Sequence, residues 1–327
     1  MDPKIDAGDT AAAREPVRLL VSKCLLGEKV RYDGQHKYDP FVVEMLGRFV
    51  EWERVCPEAD SGMPTPRPSM RLLGDPAAPR LISRTGEDRT EQMLRFVERR
   101  LDELESIELC GYVCKKDSPS SGMTRVKVYD ANGNAARSGA GLFTAAFMRR
   151  FPLIPVEEEG RLHDPRLRES FVERIFCRRR WLDLAAQGRS RGALVEFHAD
   201  HKFLLLSHGR EGYAELGRLV AAAKQYRPGE LYSAYEKGFM AHLARPTTAK
   251  KVSDVLMHLA GFFKKQLTGE EKQELLAHID EYRRGLVPVA VPLVLLRHYV
   301  RKFSVDYLAR QVFLAPYPGE LMLRNFV

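Results

Sequence analysis

The feature that most constrains this chain is a change of hydrophobic period near Gly160. Upstream, short apolar runs alternate with helical stretches. "VRLLVSKCLLG" (17–27) reads as a buried strand ending in a loop at Cys24 and Gly27. "ERVCPE" (53–58) and "IELCGYVCKK" (107–116) read as two further strands, and "PLIPVEEEG" (152–160) closes the series. Between them, "PFVVEMLGRFVEW" (40–52), "TEQMLRFVERRLDELES" (90–106, with Thr90 as N-cap) and "GAGLFTAAFMRRF" (139–151) carry helical spacing. Such alternation predicts an α/β domain on a parallel sheet. Downstream, the segments from "RLRESFVERIFCRRRWLDLAAQ" to "VPLVLLRHYVRKF" read as helices separated by short Gly, Pro or polar breaks, which predicts an all-α domain. The expected fold class is therefore an N-terminal parallel-sheet α/β domain followed by an all-α helical domain. The expected limits are a disordered lead-in at 1–16, the α/β domain at 17–160, a connector helix at 161–190 and a basic helical domain at 191–327. A length of 327 residues suits two domains.

Composition excludes several classes. No apolar run reaches the 18 residues or so that a membrane span needs. The start, "MDPKIDAGDTAAAREP", lacks the basic head and apolar centre of a secretion signal, so the expected location is the cytoplasm. In a reducing compartment, five cysteines are packing residues or ligands rather than a disulfide framework. Charge is uneven. Residues 1–160 carry 24 Lys+Arg against 26 Asp+Glu, while residues 161–327 carry 28 against 18, a balance of +10. A basic half beside a near-neutral half suits a polyanion partner, and a solvated basic surface is the plainer alternative.

In a parallel α/β sheet, ligands bind beyond the carboxyl ends of the strands. Three such ends carry unusual residues: Cys24, followed by "GEKVRYDGQHK"; Cys56-Pro57-Glu58; and Cys114, followed by "KKDSPSSG". No CxxC pair is present, so dispersed thiols suit an iron–sulfur cluster better than a zinc ribbon. Three thiolates on four irons leave one iron open as a Lewis acid. Cys110 and Cys114 share one face of an ideal strand, being an even number of residues apart.

At these motifs the chain resembles a known family. "VSKCLLGEKVRYDGQHK", "VCPEADSGMPTPRPSMRL", "KKDSPSSGMTRVKVYD" and "GAGLFTAAF" through "PLIPVEEEGRL" resemble the thiouracil desulfurase domain. The stretch from "LVEFHADHKFLLLSH" to "YPGELMLRN" resembles the helical domain often fused to it, and together they look like the two-domain tRNA 4-thiouridine desulfidases. The resemblance implies a [4Fe-4S] cluster with one iron not bound by protein. It implies Cys24 and Cys56 as ligands, Glu58 as the catalytic carboxylate and Ser118 as the catalytic serine. The family reads Ser-Pro-Ser-Cys-Gly where this chain has Ser121. The third ligand is thus Cys114, with Cys110 as the second choice, or else Ser121 leaves the cluster with two protein thiolates. Expected substrate contacts are Arg31, Asp33 and His36 from "RYDGQHK", with Ser120 and Ser121; a turn with incidental charge is the alternative for the first three.

In the helical half, clusters mixing cations and aromatics point to RNA contacts at Arg178, Arg179, Arg180, Lys250, Lys251, Lys264 and Lys265. A solvated helix face is the plain reading of each alone. His198, His201 and His208 read as hydrogen-bonded helix histidines rather than a metal site, and Cys177 as packing. The expected function is removal of sulfur from 4-thiouridine in tRNA, with no membrane and no obligate protein partner. The alternatives are desulfuration of free thiolated bases such as 2-thiouracil, and a cluster-bearing RNA-binding protein without turnover.

Overall fold

The computed structural model describes residues 16–326, so the expected disordered lead-in at 1–16 lies, but for its last residue, outside them. Four parallel strands form the main sheet: β1 (Val17–Ser22), β2 (Val50–Val55), β5 (Leu109–Cys114) and β8 (Val156–Glu158), in the order β2–β1–β5–β8. The two central strands are covered on both faces. That is why "LLV" (19–21) and "LCGYVC" (109–114) read as unbroken apolar runs rather than alternating ones.

The β1–β5 register steps from Arg18 opposite Leu109 to Leu19 opposite Gly111, leaving Cys110 as a bulge. The bulge changes which face each later residue takes. Tyr112 and Cys114 join the core beneath α2 (Thr90–Glu105) and α3 (Leu142–Arg150), while Cys110 and Val113 join the core on the opposite face. The expectation that Cys110 and Cys114 share a face is therefore corrected: it assumed an unbroken period of two.

Two further departures precede the site. The predicted helix 40–52 is a π turn at Phe41–Met45, then a 3-10 turn at Leu46–Arg48, and β2 already begins at Val50. Pairing of Val50 with Val17 along the sheet edge outweighs the amphipathic pattern. A second sheet, unexpected from the sequence, follows α1 (Pro57–Asp60): β3 (Met70–Leu73), β4 (Arg80–Ser83), β6 (Val126–Tyr129) and β7 (Ala135–Gly139), in the order β4–β3–β6–β7. Its strands run four or five residues between turns, too short to show a period.

The main sheet's other face is covered by α4 (Pro165–Ala186), whose Phe171, Val172 and Ile175 pack with Leu19, Val21 and Cys110. Approach is close: a β-carbon on Gly111 would lie 2.6 Å from Ile175 Cγ2. The opposite side of the same helix, with Cys177, Trp181 and Leu184, enters the helical core. The segment expected as a connector is thus a wall shared by both halves. The helical half comprises α5 (Arg191–Asp200), α6 (Lys202–His208), α7 (Arg210–Ala221), α8 (Pro228–Leu243), α9 (Ala249–Gly261), α10 (Gly269–Arg283), α11 (Ala290–Lys302) and α12 (Asp306–Ala309). The fold class is as expected, an α/β region followed by helices. The chain end then returns to the first half, where Tyr317, Leu321 and Leu323 pack in the core under α4.

Buried charges hold α4 to the helices. Glu173 pairs with His208 Nε2 at 2.7 Å, and His208 Nδ1 donates to the Arg245 carbonyl at 2.7 Å. Glu169 accepts from Tyr317 at 2.8 Å and from Arg324 at 3.0 Å.

Candidate active site

Beyond the carboxyl ends of β1, β2 and β5 lies a cavity of about 310 Å³, where an open parallel sheet places ligands. Each wall has a local cause. Behind β1, a 3-10 turn at Lys23–Leu26 carries Cys24, and Gly27, at φ 92°, turns the chain out of it. That left-handed conformation favours glycine. Behind β2, Pro57 opens α1, so that Cys56 and Glu58 are held on either side of a fixed bend. Lys23 reaches Asp60 at 2.5 Å, and Asp60 also accepts from the Cys56 amide at 3.0 Å, joining the first wall to the second.

The serine loop forms the third wall and is fastened from two sides. The amides of Leu142 and Phe143, at the start of α3, donate to the carbonyls of Pro119 and Ser120 at 3.1 and 3.0 Å. Thr144 Oγ1 donates to the Ser121 carbonyl at 2.8 Å. A β-carbon on Gly141 would sit 2.4 Å from Ser120 C and 2.5 Å from Ser121 N, so the loop reaches the helix only past a glycine. From the other side, buried Glu158 accepts from the amides of Met123 and Thr124 at 2.9 and 3.4 Å, and Glu159 holds Lys115 Nζ at 2.5 Å. The acidic run Glu157–Glu159 at the end of β8, read from the sequence only as the end of the series, is a set of anchors for the site.

Inside the cavity, Glu58 is 8% exposed. Its Oε2 accepts from Arg67 Nε at 2.8 Å and lies 2.7 Å from Arg67 Nη2. Its Oε1 accepts from Ser120 Oγ at 2.9 Å, and Ser120 Oγ lies 3.1 Å from Ser118 Oγ. Arg67, which opens "RPSMR" (67–71), a stretch that reads from the sequence as a further cationic edge near the pocket, is thus inside the site. Its signal was an arginine between two prolines, Pro66 and Pro68, in a stretch that no helix accepts.

Cys24 and Cys56 both line the cavity, as do Ser118, Ser120 and Ser121. Burial, with Cys56 beside it, pushes the Cys24 thiol up to about 12 despite Lys115 and Arg31 nearby; burial also raises Cys56. Thiols in this state bind metal by giving up their protons.

Cys114 is not among the residues that line the cavity: it is fully buried, and its Sγ donates to the Glu157 carbonyl at 3.5 Å. Burial raises this thiol well above its ordinary value. Cys110, on the far face, is raised to about 11 by burial. Neither Cys114 nor Cys110, the expected choices for a third ligand, lines the cavity that Cys24 and Cys56 share. Arg31 lines the cavity, whereas Asp33 and His36 do not; Asp33 pairs with Arg31 at 3.3 Å, and His36 Nδ1 accepts from the Tyr38 amide at 3.3 Å.

The expected RNA contacts divide. Arg178 donates to the Leu109 carbonyl at 2.8 Å and to Glu236 at 3.1 Å. Arg179 is buried between Glu108 at 3.0 Å and Asp183 at 2.9 Å. Arg180 reaches the Ala315 carbonyl at 3.4 Å. Arg178 and Arg179 join the halves and Arg180 ties α4 to the segment after α12, so the three are engaged within the fold where an RNA surface was expected, because α4 packs on both sides. Lys251 caps the carbonyls of His208 and Pro246, while Lys250, Lys264 and Lys265 are exposed. His198 pairs with the Tyr235 hydroxyl at 3.0 Å, and His201 Nδ1 with the Phe197 carbonyl at 2.7 Å. Among the described residues no helix is long and apolar enough to cross a membrane.

Comparison with known proteins places this geometry in a family. The family model described as 2-thiouracil desulfurase matches residues 19–159, and that described as protein of unknown function DUF1722 matches residues 202–318. The uncharacterized protein YbgA of Escherichia coli (strain K12) is 32% identical over 161 residues, covering 49% of this chain and 95% of its own length. The uncharacterized protein YbbK of Bacillus subtilis (strain 168) is 28% identical over 113 residues, 32% of this chain and 72% of its own. A solved structure of the [4Fe-4S]-dependent thiouracil desulfidase TudS is 32% identical, covering 47% of this chain and 99% of its own, with a TM-score of 0.39. This chain belongs to the family that joins a 2-thiouracil desulfurase domain to a DUF1722 domain.

Proposed function

We propose that this protein is an iron–sulfur desulfidase that converts the C=S group of a thiolated pyrimidine to C=O, with 4-thiouridine in tRNA as the substrate. The observation that carries the reading is that Cys24, Cys56 and Glu58 line one cavity at the carboxyl end of a parallel sheet. Membership of a family whose first domain is described as 2-thiouracil desulfurase supports the reaction class.

The donors at the cavity fit an iron–sulfur group in part. Two thiols suit iron. Ser121, which stands where the resembling family has cysteine, lines the same cavity and offers an oxygen in place of sulfur, while Cys110 and Cys114 are packed elsewhere. Lys23, Arg31 and Lys115 on the same walls offset the negative charge of thiolates. Cys24, Cys56 and Ser121 would hold the cluster. When bound, such a cluster would supply a Lewis acid for the thiocarbonyl sulfur.

The chain's own groups then handle water and protons. Glu58 Oε1 takes the proton of a water that adds to the thiocarbonyl carbon, acting as general base within hydrogen-bond reach. The Ser120 and Ser118 hydroxyls, one after the other from that oxygen, hold the added oxygen or pass the proton onward. Water enters, hydrosulfide leaves, and no electrons are exchanged.

The tRNA form of the reading is supported by the charge balance of +10 over residues 161–327 and by exposed Lys250, Lys264 and Lys265. The free-base form is supported by a cavity of about 310 Å³, ample for one pyrimidine, and by the withdrawal of Arg178 and Arg179 from the surface. The test is anaerobic reconstitution, incubation with thiolated tRNA and with free 2-thiouracil, and mass analysis of the nucleosides and bases. Loss of 4-thiouridine from tRNA is expected. Loss from the free base alone would transfer the reading to the alternative. No loss from either, with iron bound, would leave a cluster-bearing protein without turnover. Ser121→Cys should raise iron retention, and unchanged retention would remove Ser121 from the ligand set.

A further inference from the structure

We infer that Arg67 is the positioning residue of this site: it claims one oxygen of Glu58 so that the other is left facing the serine hydroxyls. The inference rests on the desulfidase reading above and goes beyond it in naming what decides which carboxylate oxygen does the work. A carboxylate has two chemically equivalent oxygens and turns about its last bond. Here Arg67 Nε donates to Glu58 Oε2 at 2.8 Å, and Nη2 lies 2.7 Å from the same atom. Both contacts fall on Oε2 and none on Oε1. Among the described residues Oε1 therefore accepts only from Ser120, at 2.9 Å, whose hydroxyl lies next to that of Ser118.

The arginine is itself held rigidly. Its side chain is 3% exposed, and Nη1 faces the carbonyls of Val30 and Pro64 and the hydroxyl of Thr65 at 3.1, 3.2 and 3.1 Å. Its backbone amide donates to the Tyr32 carbonyl at 2.8 Å. The Val30 carbonyl is also the acceptor for Cys56 Sγ, at 3.8 Å. One guanidinium thus ties the loop after Cys24, the proline-rich loop and the Cys56-Pro57-Glu58 bend into a single unit. A lysine keeps the charge but has no planar fork with which to hold Oε2 and the three Nη1 acceptors together.

The experiment compares wild type, Arg67→Lys and Arg67→Ala, each reconstituted anaerobically, with iron content measured beside kcat and KM on the thiolated substrate. Loss of orientation about the reacting atoms lowers kcat by about 100-fold with KM near the wild-type value. That fall is expected in both variants at unchanged iron content, and guanidinium ion, but not methylammonium, should restore part of the activity of Arg67→Ala. Wild-type kcat in Arg67→Lys would overturn the inference, since charge alone would then suffice. A fall in kcat that merely tracks iron loss would overturn it too, by showing a purely structural arginine. Absence of turnover in the wild type would instead overturn the desulfidase reading on which the inference stands.

Discussion

Replacing Gly141 by alanine tests whether the serine loop is placed by its fit against α3. The new β-carbon would lie 2.4 Å from Ser120 C, whereas ordinary contact begins at 3.4 Å, so the loop or the helix must move by 3.4 − 2.4 = 1.0 Å. The obstacle is backbone on both sides, and no flexible side chain can swing clear. Overpacking of this kind costs about 1–3 kcal/mol. Stretching the amide bonds from Leu142 and Phe143 to the loop adds about 1 kcal/mol each at most. For a chain of this size each kcal/mol lowers the melting temperature by about 2 °C, so a combined cost of about 1–5 kcal/mol gives an expected fall of about 2–10 °C. The same displacement carries Ser118, Ser120 and Ser121 with it, and a 1 Å misplacement of groups around a reacting centre costs about 100-fold in turnover. The assays are calorimetry of the metal-free protein, and iron content and turnover of the reconstituted one. Gly269→Ala, with open space around it at the start of α10, is the control and should change stability by less than about 0.5 kcal/mol. If Gly141→Ala melts with the wild type and keeps its iron and turnover, the loop is placed by something other than this contact.

The thiols should separate by iron content: Cys24→Ser and Cys56→Ser lose iron on reconstitution, whereas Cys110→Ser and Cys114→Ser keep it, and iron loss in Cys114→Ser would restore it as a ligand. Arg179→Ala should destabilise the protein by about 1–2 kcal/mol, since it removes the buried guanidinium's two ion pairs but leaves Glu108, 53% exposed, and Asp183, 23% exposed, in reach of water, and should not change RNA affinity except through folding. Lys264→Ala combined with Lys265→Ala should do the reverse, lowering tRNA affinity and its salt dependence in a binding titration while melting is unchanged. Burial opposes ionisation of Glu173, yet His208, Arg324 and Arg180 hold its carboxyl below the usual range. Its stabilisation is therefore complete above the unfolded value near pH 4.3 and is lost as pH falls through the lower folded value. Urea unfolding from pH 6 to 3 should show Glu173→Gln less stable at pH 6 and less steeply weakened by acid; parallel curves would refute the linkage.

The composition of the site was legible wherever chemistry is written locally. Cysteine and glutamate on either side of Pro57 follow a strand, and strand ends collect at one rim of a parallel sheet, so Cys24, Cys56 and Glu58 could be brought together from the sequence. The change of period at Gly160 likewise predicted an α/β half and a helical half. Where strands are long and buried on both faces, the pattern is dense enough to read.

Other placements depended on contacts between residues far apart in the chain. One bulged residue, Cys110, broke the strand's period and sent two neighbouring thiols to opposite cores. The "CRRR" run looks like a cationic surface, but α4 is packed on two sides, so its arginines meet Glu108, Glu236 and Ala315 instead of solvent. Arg67 looked like an edge charge until the proline-rich loop folded it against Glu58. The sequence by itself determined which chemical groups are present, the elements that carry them and the end of the sheet at which they gather. Tertiary structure alone decided which of those groups meet, because a charge or a thiol takes its role from the partner that burial forces on it, and that partner lies anywhere from nine residues away, as Glu58 does from Arg67, to more than a hundred, as Ala315 does from Arg180.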